Sequence, residues 1–121
     1  ILNMTSINQD FTMYSGDDKT IVVTITNSSG QIVNLTSLEA AQFIAKKYSK
    51  SSTVDITKTK NDGITLNDPA TDGKLNILLA AADTSSLAPG EYYIEVRIKD
   101  SGSNIGTVSV GTMTLKQADS L

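Results

Sequence analysis

The sequence predicts an all-β domain, an antiparallel sandwich or barrel. Two observations predict it. Apolar and polar residues alternate with period two in several short runs, and successive side chains of a strand point to opposite faces. Turn-forming clusters rich in Gly, Asn, Asp and Ser fall between those runs. Many short strands separated by regular turns make a sandwich or barrel, with one face of each strand inward and the Thr, Ser and charged face in water.

The elements follow in chain order. Residues 20–26 place Ile21, Val23 and Ile25 on one face and threonines on the other. Asn27-Ser28-Ser29-Gly30 then makes a turn. Residues 36–48 are ambiguous. Thr36 and Glu39 have capping-box spacing, and Ala41, Ile44, Ala45 and Tyr48 would form a helical stripe. Ala41, Phe43 and Ala45 equally share one strand face. Val54 with Ile56, and Ile64 with Leu66, are weaker alternations; Leu75, Ile77 and Leu79 are a clear one. Residues 80–87 have room for a single helical turn. In residues 91–99, Tyr92, Ile94, Val96 and Ile98 alternate with charged residues and Tyr93. The last strand changes parity between Val108 and Val110 on one side and Met113 and Leu115 on the other, which predicts a bulge near Gly111.

Composition excludes several function classes. The chain has 121 residues, a net charge of −3, no Cys and no His. One hydrophobic core is within reach at this length without covalent staples. The acidic balance does not suit nucleic acid, whose binding needs a basic face. Disulfides, thiolate nucleophiles, Cys/His zinc sites and a His-dependent triad are all ruled out. Arg97 is the only arginine, so no arginine cluster clamps a phosphate. No apolar run reaches the roughly 20 residues of a helical membrane span. Residues 1–10 are read as foreign residues ahead of Met4, followed by a flexible arm from Thr5 to Asp10; residues 11–116 form the domain; residues 117–121 are a tail.

The residues that carry chemistry elsewhere have plainer roles here. Asp17, Asp18, Asp62, Asp68, Asp72 and Asp83 all fall in predicted loops, where aspartates are mostly solvated turn formers rather than paired acids and bases. The loop Asn67-Asp68-Pro69-Ala70-Thr71-Asp72-Gly73 offers oxygens for Ca²⁺ but lacks the EF-hand spacing, and is read as a turn. Of the aromatics Phe11, Tyr14, Phe43, Tyr48, Tyr92 and Tyr93, Tyr93 has outward parity and is the best candidate for an exposed contact, although a lone outward Tyr on a strand is more often a cross-strand packing residue than a ligand platform; Tyr92 and Phe43 read as core. Asn27-Ser28-Ser29 and Asn34-Leu35-Thr36 match glycosylation sequons, as chance allows in a chain rich in Asn, Ser and Thr. The expectation is no enzyme, no catalytic residue, no metal and no cofactor.

Several segments in order carry a resemblance. Phe11-Thr12-Met13-Tyr14-Ser15-Gly16-Asp17-Asp18-Lys19 precedes a Thr/Ile/Val strand. A Gly30 turn leads to Val33-Asn34-Leu35-Thr36 and then to the Phe43 segment ending in Lys46-Lys47. Gly73-Lys74-Leu75-Asn76-Ile77-Leu78-Leu79 precedes Leu87-Ala88-Pro89-Gly90-Glu91-Tyr92-Tyr93, and a turn at Asp100-Ser101-Gly102 precedes the closing strand. This order resembles small immunoglobulin-like domains of tailed-phage proteins, such as the N-terminal domain of upper baseplate proteins of lactococcal-type phages. The resemblance spans most of residues 11–115. It implies an Ig-like β-sandwich of about seven to eight strands. It further implies that residues 40–47 are a strand, and that Tyr92 lies inward with its hydroxyl on backbone at a corner. Unlike those baseplate proteins, the sequence carries no helices after the domain, which leaves the position in a particle open.

Three functions are weighed. The resemblance implies a non-enzymatic structural protein of the virion, in the tail, baseplate, fibre attachment or head. It would dock through edges and loops to other virion proteins and to copies of itself, without nucleic acid or membrane. The alternative is a monomeric adhesion or carbohydrate-binding module that recognises a cell surface through its loops; few aromatics weigh against it. A carboxylate hydrolase comes last, because nothing in the spacing asks for one.

Overall fold

Ile21, Val23 and Ile25 are buried, while Val22 between them is exposed, so the first alternation becomes a strand with one dry face. The computed structural model describes residues 7–8 and 10–119. Its strands are β1 (Ile7–Asn8), β2 (Phe11–Tyr14), β3 (Lys19–Thr24), β4 (Ala40–Lys46), β5 (Ile56–Lys60), β6 (Gly63–Leu66), β7 (Lys74–Leu79), β8 (Gly90–Lys99) and β9 (Ile105–Lys116). One helical turn, α1 (Ala81–Thr84), and a 3-10 turn at Ala70–Asp72 complete the elements. Strands hydrogen-bond in the order β1-β9-β8-β4-β5-β6-β7-β3, with β2 also on β9. The ladder turns over at Asn61-Asp62-Gly63, where Asn61 and Gly63 take positive φ. Two layers then enclose one core, with Phe43, Tyr92, Ile98, Met113 and Leu115 from one and Val23, Ile64, Leu75 and Ile77 from the other. The all-β Ig-like sandwich is therefore the fold.

Three expectations need correction. The sandwich is not antiparallel throughout: β1 and β2 run parallel to β9, and β5 and β6 pair parallel over two residue pairs. β1 and β2 come from the opposite end of the domain to β9, so no hairpin obliges them to be antiparallel to it; the short β5–β6 contact spans only the tight turn at Asn61-Asp62, closed by the Thr59, Asn61 and Asp62 amides. Second, residues 7 and 8 belong to a strand, with Ile7 opposite Ser109 and Asn8 opposite Val110, where a flexible arm was expected. Asp10 fastens the same edge by accepting a hydrogen bond from the Thr112 amide at 2.9 Å. The proposed foreign residues 1–3, the rest of the arm up to residue 9, and tail residues 120–121 lie outside the described residues. Third, the bulge is not at Gly111, which pairs in register with Ile94. Register slips where Val96 faces Ser109 and Arg97 faces Thr107, leaving Val108 as the extra residue. Val108 and Ser109 are both buried in succession, which is the parity change itself.

Residues 40–46 form the strand that the resemblance implied. Ala41, Phe43 and Ala45 are buried between β5 and β8, whereas Tyr48 is 63% exposed. The capping signal is spent locally: the Asn34 side chain accepts the Thr36 amide, and the Glu39 amide donates to the Lys99 carbonyl. Strand pairing to two neighbours overrides helix propensity.

α1 acts as a clasp. Thr84 Oγ1 accepts the Gly16 amide at 2.9 Å, and Asp18 accepts the Ala81 amide at 2.9 Å. Asp83, expected as a solvated turn former, instead accepts the Ala80 amide at 2.7 Å and pairs with Lys58 Nζ at 2.8 Å. Burial pushes its carboxyl pKa up, but the Lys58 hydrogen bond, the Ala80 amide and the Lys58 charge together hold it below the ordinary 3.8. A depressed carboxyl stabilises the fold at pH well above 3.8, and that contribution is lost as pH falls through the depressed value. Asp83→Asn is expected to cost roughly 0.5–1.5 kcal/mol at neutral pH. In urea unfolding the gap between variant and parent should narrow as pH falls below the ordinary 3.8 and close once the depressed carboxyl is protonated; an unchanged gap in acid would contradict the assignment.

Candidate docking face

The carboxylates considered from sequence do not converge. Asp18 and Asp83 serve α1, Asp72 accepts the Asn67 side-chain amide at 2.7 Å beside the 3-10 turn, and Asp17, Asp62 and Asp68 are exposed. Among the described residues no group of three or more His, Cys, Asp or Glu is placed to hold a metal ion. Asn27 and Asn34 use their side-chain oxygens to close turns on the amides of Ser29, Gln31 and Thr36.

The aromatics divide as their parity demands. Phe43 and Tyr92 are core. The Tyr92 hydroxyl donates to the Ala88 carbonyl at 2.6 Å, closing the corner before β8. Burial, and then the Asp55 carboxylate, raise its pKa. Tyr93 is half-buried rather than free: it sits between Lys46 and Thr112 across the sheet, and its hydroxyl donates to Glu95 at 3.3 Å. Burial, then the Glu95 charge and its hydrogen bond, raise the Tyr93 pKa. Tyr93 is therefore a packing residue of the sheet's outer face.

That outer face holds the concavity that sequence reasoning missed. Alternation on β4 and β8 turns Ala40, Gln42 and Ile44 outward beside Glu95, Arg97 and Lys99, with Gln42 directly opposite Arg97 on one side and Thr59 on the other. β9 adds Ile105 opposite Lys99 and Thr107 opposite Arg97. Ala40 has only a methyl group where its neighbours are long, so the face dips there. The resulting notch, about 430 Å³, is lined among others by Ala40, Gln42, Thr59, Arg97, Lys99 and Ile105.

Charge in the notch is uneven. Lys99 pairs with Glu39 at 3.2 Å, and Lys60 Nζ donates to the Leu38 carbonyl at 2.5 Å. Glu95 is engaged by Tyr93. Arg97 is exposed, and among the described residues it has neither an ion pair nor a side-chain hydrogen bond. Three cations thus surround one carboxylate in a chain whose net charge is −3. The only sequence signal was Arg97 itself, as the single arginine on an outward strand position.

No protein-family model and no curated protein matches the chain. A fibronectin(III)-like module of Clostridium thermocellum CbhA aligns over 96% of each chain, with 15% identity and a TM-score of 0.46. CopC from Methylosinus trichosporium OB3b is similar over 91% of this chain and 86% of its own, with 12% identity and a TM-score of 0.50. At that identity the likeness to CopC is one of fold alone, a small β-sandwich.

Proposed function

We propose that this chain is a non-enzymatic docking module of a tailed-phage particle, held by neighbouring structural proteins and present in several copies. The observation that supports docking is the outer face of β5, β4, β8 and β9. Its strands are hydrogen-bonded into a continuous sheet, so a partner meets a preformed surface at low ordering cost. It presents the unpaired Arg97 in a notch beside Ile105, which is 59% exposed. Arginine is enriched among interface hot spots, and the exposed Ile105 beside it adds apolar area that a partner can cover. The phage setting rests on the order of sequence segments from Phe11 to Leu115.

The test is quantitative proteomics of purified particles of the source phage. Copy number in fixed ratio to the major capsid protein is the expected result. Absence from clean particles overturns the reading. A monomeric adhesion module is the second reading, favoured by Tyr48, 63% exposed in the segment between β4 and β5. It predicts saturable binding to host-surface glycans that Tyr48→Ala abolishes.

A further inference from the structure

We propose that the notch at Arg97 is a receptor for a carboxylate side chain of a partner polypeptide, with Arg97 as the anchor. The inference rests on the docking reading and names what that face takes.

Three observations carry it, with one property of the guanidinium group. The Arg97 guanidinium has no counterion among the described residues, although carboxylates stand nearby: Glu39 is committed to Lys99, and Glu95 to the Tyr93 hydroxyl. A planar guanidinium donates two parallel hydrogen bonds to a carboxylate, a geometry that ammonium groups do not reproduce. Gln42 is directly opposite Arg97, and Thr59 is opposite Gln42 on the next strand, so an amide stands beside the guanidinium and a hydroxyl one strand further along the row as donors. The Ala40 depression supplies space for a side chain to enter, between the ends of β4, β5 and β8.

The lining favours a polypeptide over an acidic sugar. Sugar rings are held against aromatic faces, and no aromatic residue lines this notch. Its apolar wall is aliphatic, chiefly Ile105, which suits the methylenes of a glutamate and the side chains flanking it. The excess of two positive charges in the notch, three cations against Glu39, complements an acidic segment.

The experiment is NMR titration of the ¹⁵N-labelled full chain with a capped hexaglutamate peptide. Hexaglutamine and polygalacturonate serve as comparison probes. Saturable shifts of the Arg97 side-chain Nε–H and of the Gln42, Thr59 and Ile105 amides are expected with hexaglutamate, and none with hexaglutamine. Arg97→Gln should weaken binding by about tenfold to a hundredfold, the loss of charge-assisted hydrogen bonds. Ala40→Leu should do the same by filling the notch with all charges kept. Glu39→Gln should tighten binding severalfold, because it frees Lys99; a gain cannot arise from misfolding.

Three outcomes overturn the proposal: shifts spread over all lysines without saturation, binding unaffected by Arg97→Gln, or polygalacturonate occupying the notch where hexaglutamate does not. The outcome is separable from the docking reading. A chain found in particles whose notch ignores hexaglutamate loses this inference alone. A notch that binds hexaglutamate in a chain absent from particles loses the phage reading alone.

Discussion

Gly73→Ala is expected to destabilise the domain by about 3 kcal/mol or more. The left-handed conformation of Gly73, φ 69°, costs an L-residue roughly 1–2 kcal/mol. The larger part is steric. An added Cβ would stand 2.8 Å from the Val33 carbonyl oxygen and 2.5 Å from Ile32 Cγ2. The exposed Ile32 can turn away, but the Val33 carbonyl cannot. The Val33 amide donates to Ile25 at 3.0 Å, and the Ile25 amide to Gly73 at 2.7 Å, so three segments are tied together at this point. Gly30 is the control: its φ is 81°, but nothing lies within 4 Å of an added Cβ, so Gly30→Ala should cost only the roughly 1–2 kcal/mol of conformation. Equilibrium unfolding in urea reads both. Equal losses at the two positions would refute the close approach at Gly73.

Phe43→Ala should cost about 3–5 kcal/mol, the range for emptying a core phenylalanine site. Phe43 is 1% exposed at the middle of β4, with Lys58 and Val96 opposite it on the two flanking strands. Ile44→Ala, one residue on, should cost about 1 kcal/mol, because Ile44 faces outward and is half-buried. The pair is diagnostic. Ile44 belongs to the apolar stripe of the helical alternative and Phe43 does not. A larger loss at Ile44 than at Phe43 would reject strand β4.

Much of the fold was legible in local pattern. The inward sets Ile21-Val23, Leu75-Ile77-Leu79 and Tyr92-Ile94-Val96-Ile98 were readable from alternation and all are buried, since a period of two has one solution when one face must be dry. The helical turn near residue 81 and the turns at Gly30, Gly73 and Asp100 were equally local, set by side-chain oxygens and positive φ. The parity change in β9 announced a bulge, but its place at Val108 depends on which β8 residue stands opposite, and that is a property of the pair.

What tertiary structure decided follows one physical rule. Residues 40–46 carry both periodicities, and only the hydrogen-bonding edges of β5 and β8 select the strand. The parallel pairing of β1 and β2 with β9 joins segments about 100 residues apart, which no window of sequence contains. Asp83 looked like a solvated turn residue until Lys58, from β5, arrived beside it. The notch exists because Ala40, Gln42, Thr59, Arg97 and Ile105, from four strands, share one outer face. Periodicity determined which side chains are buried; which strands lie side by side, and so which outward residues meet, was determined only when backbone donors and acceptors found partners across the sheet.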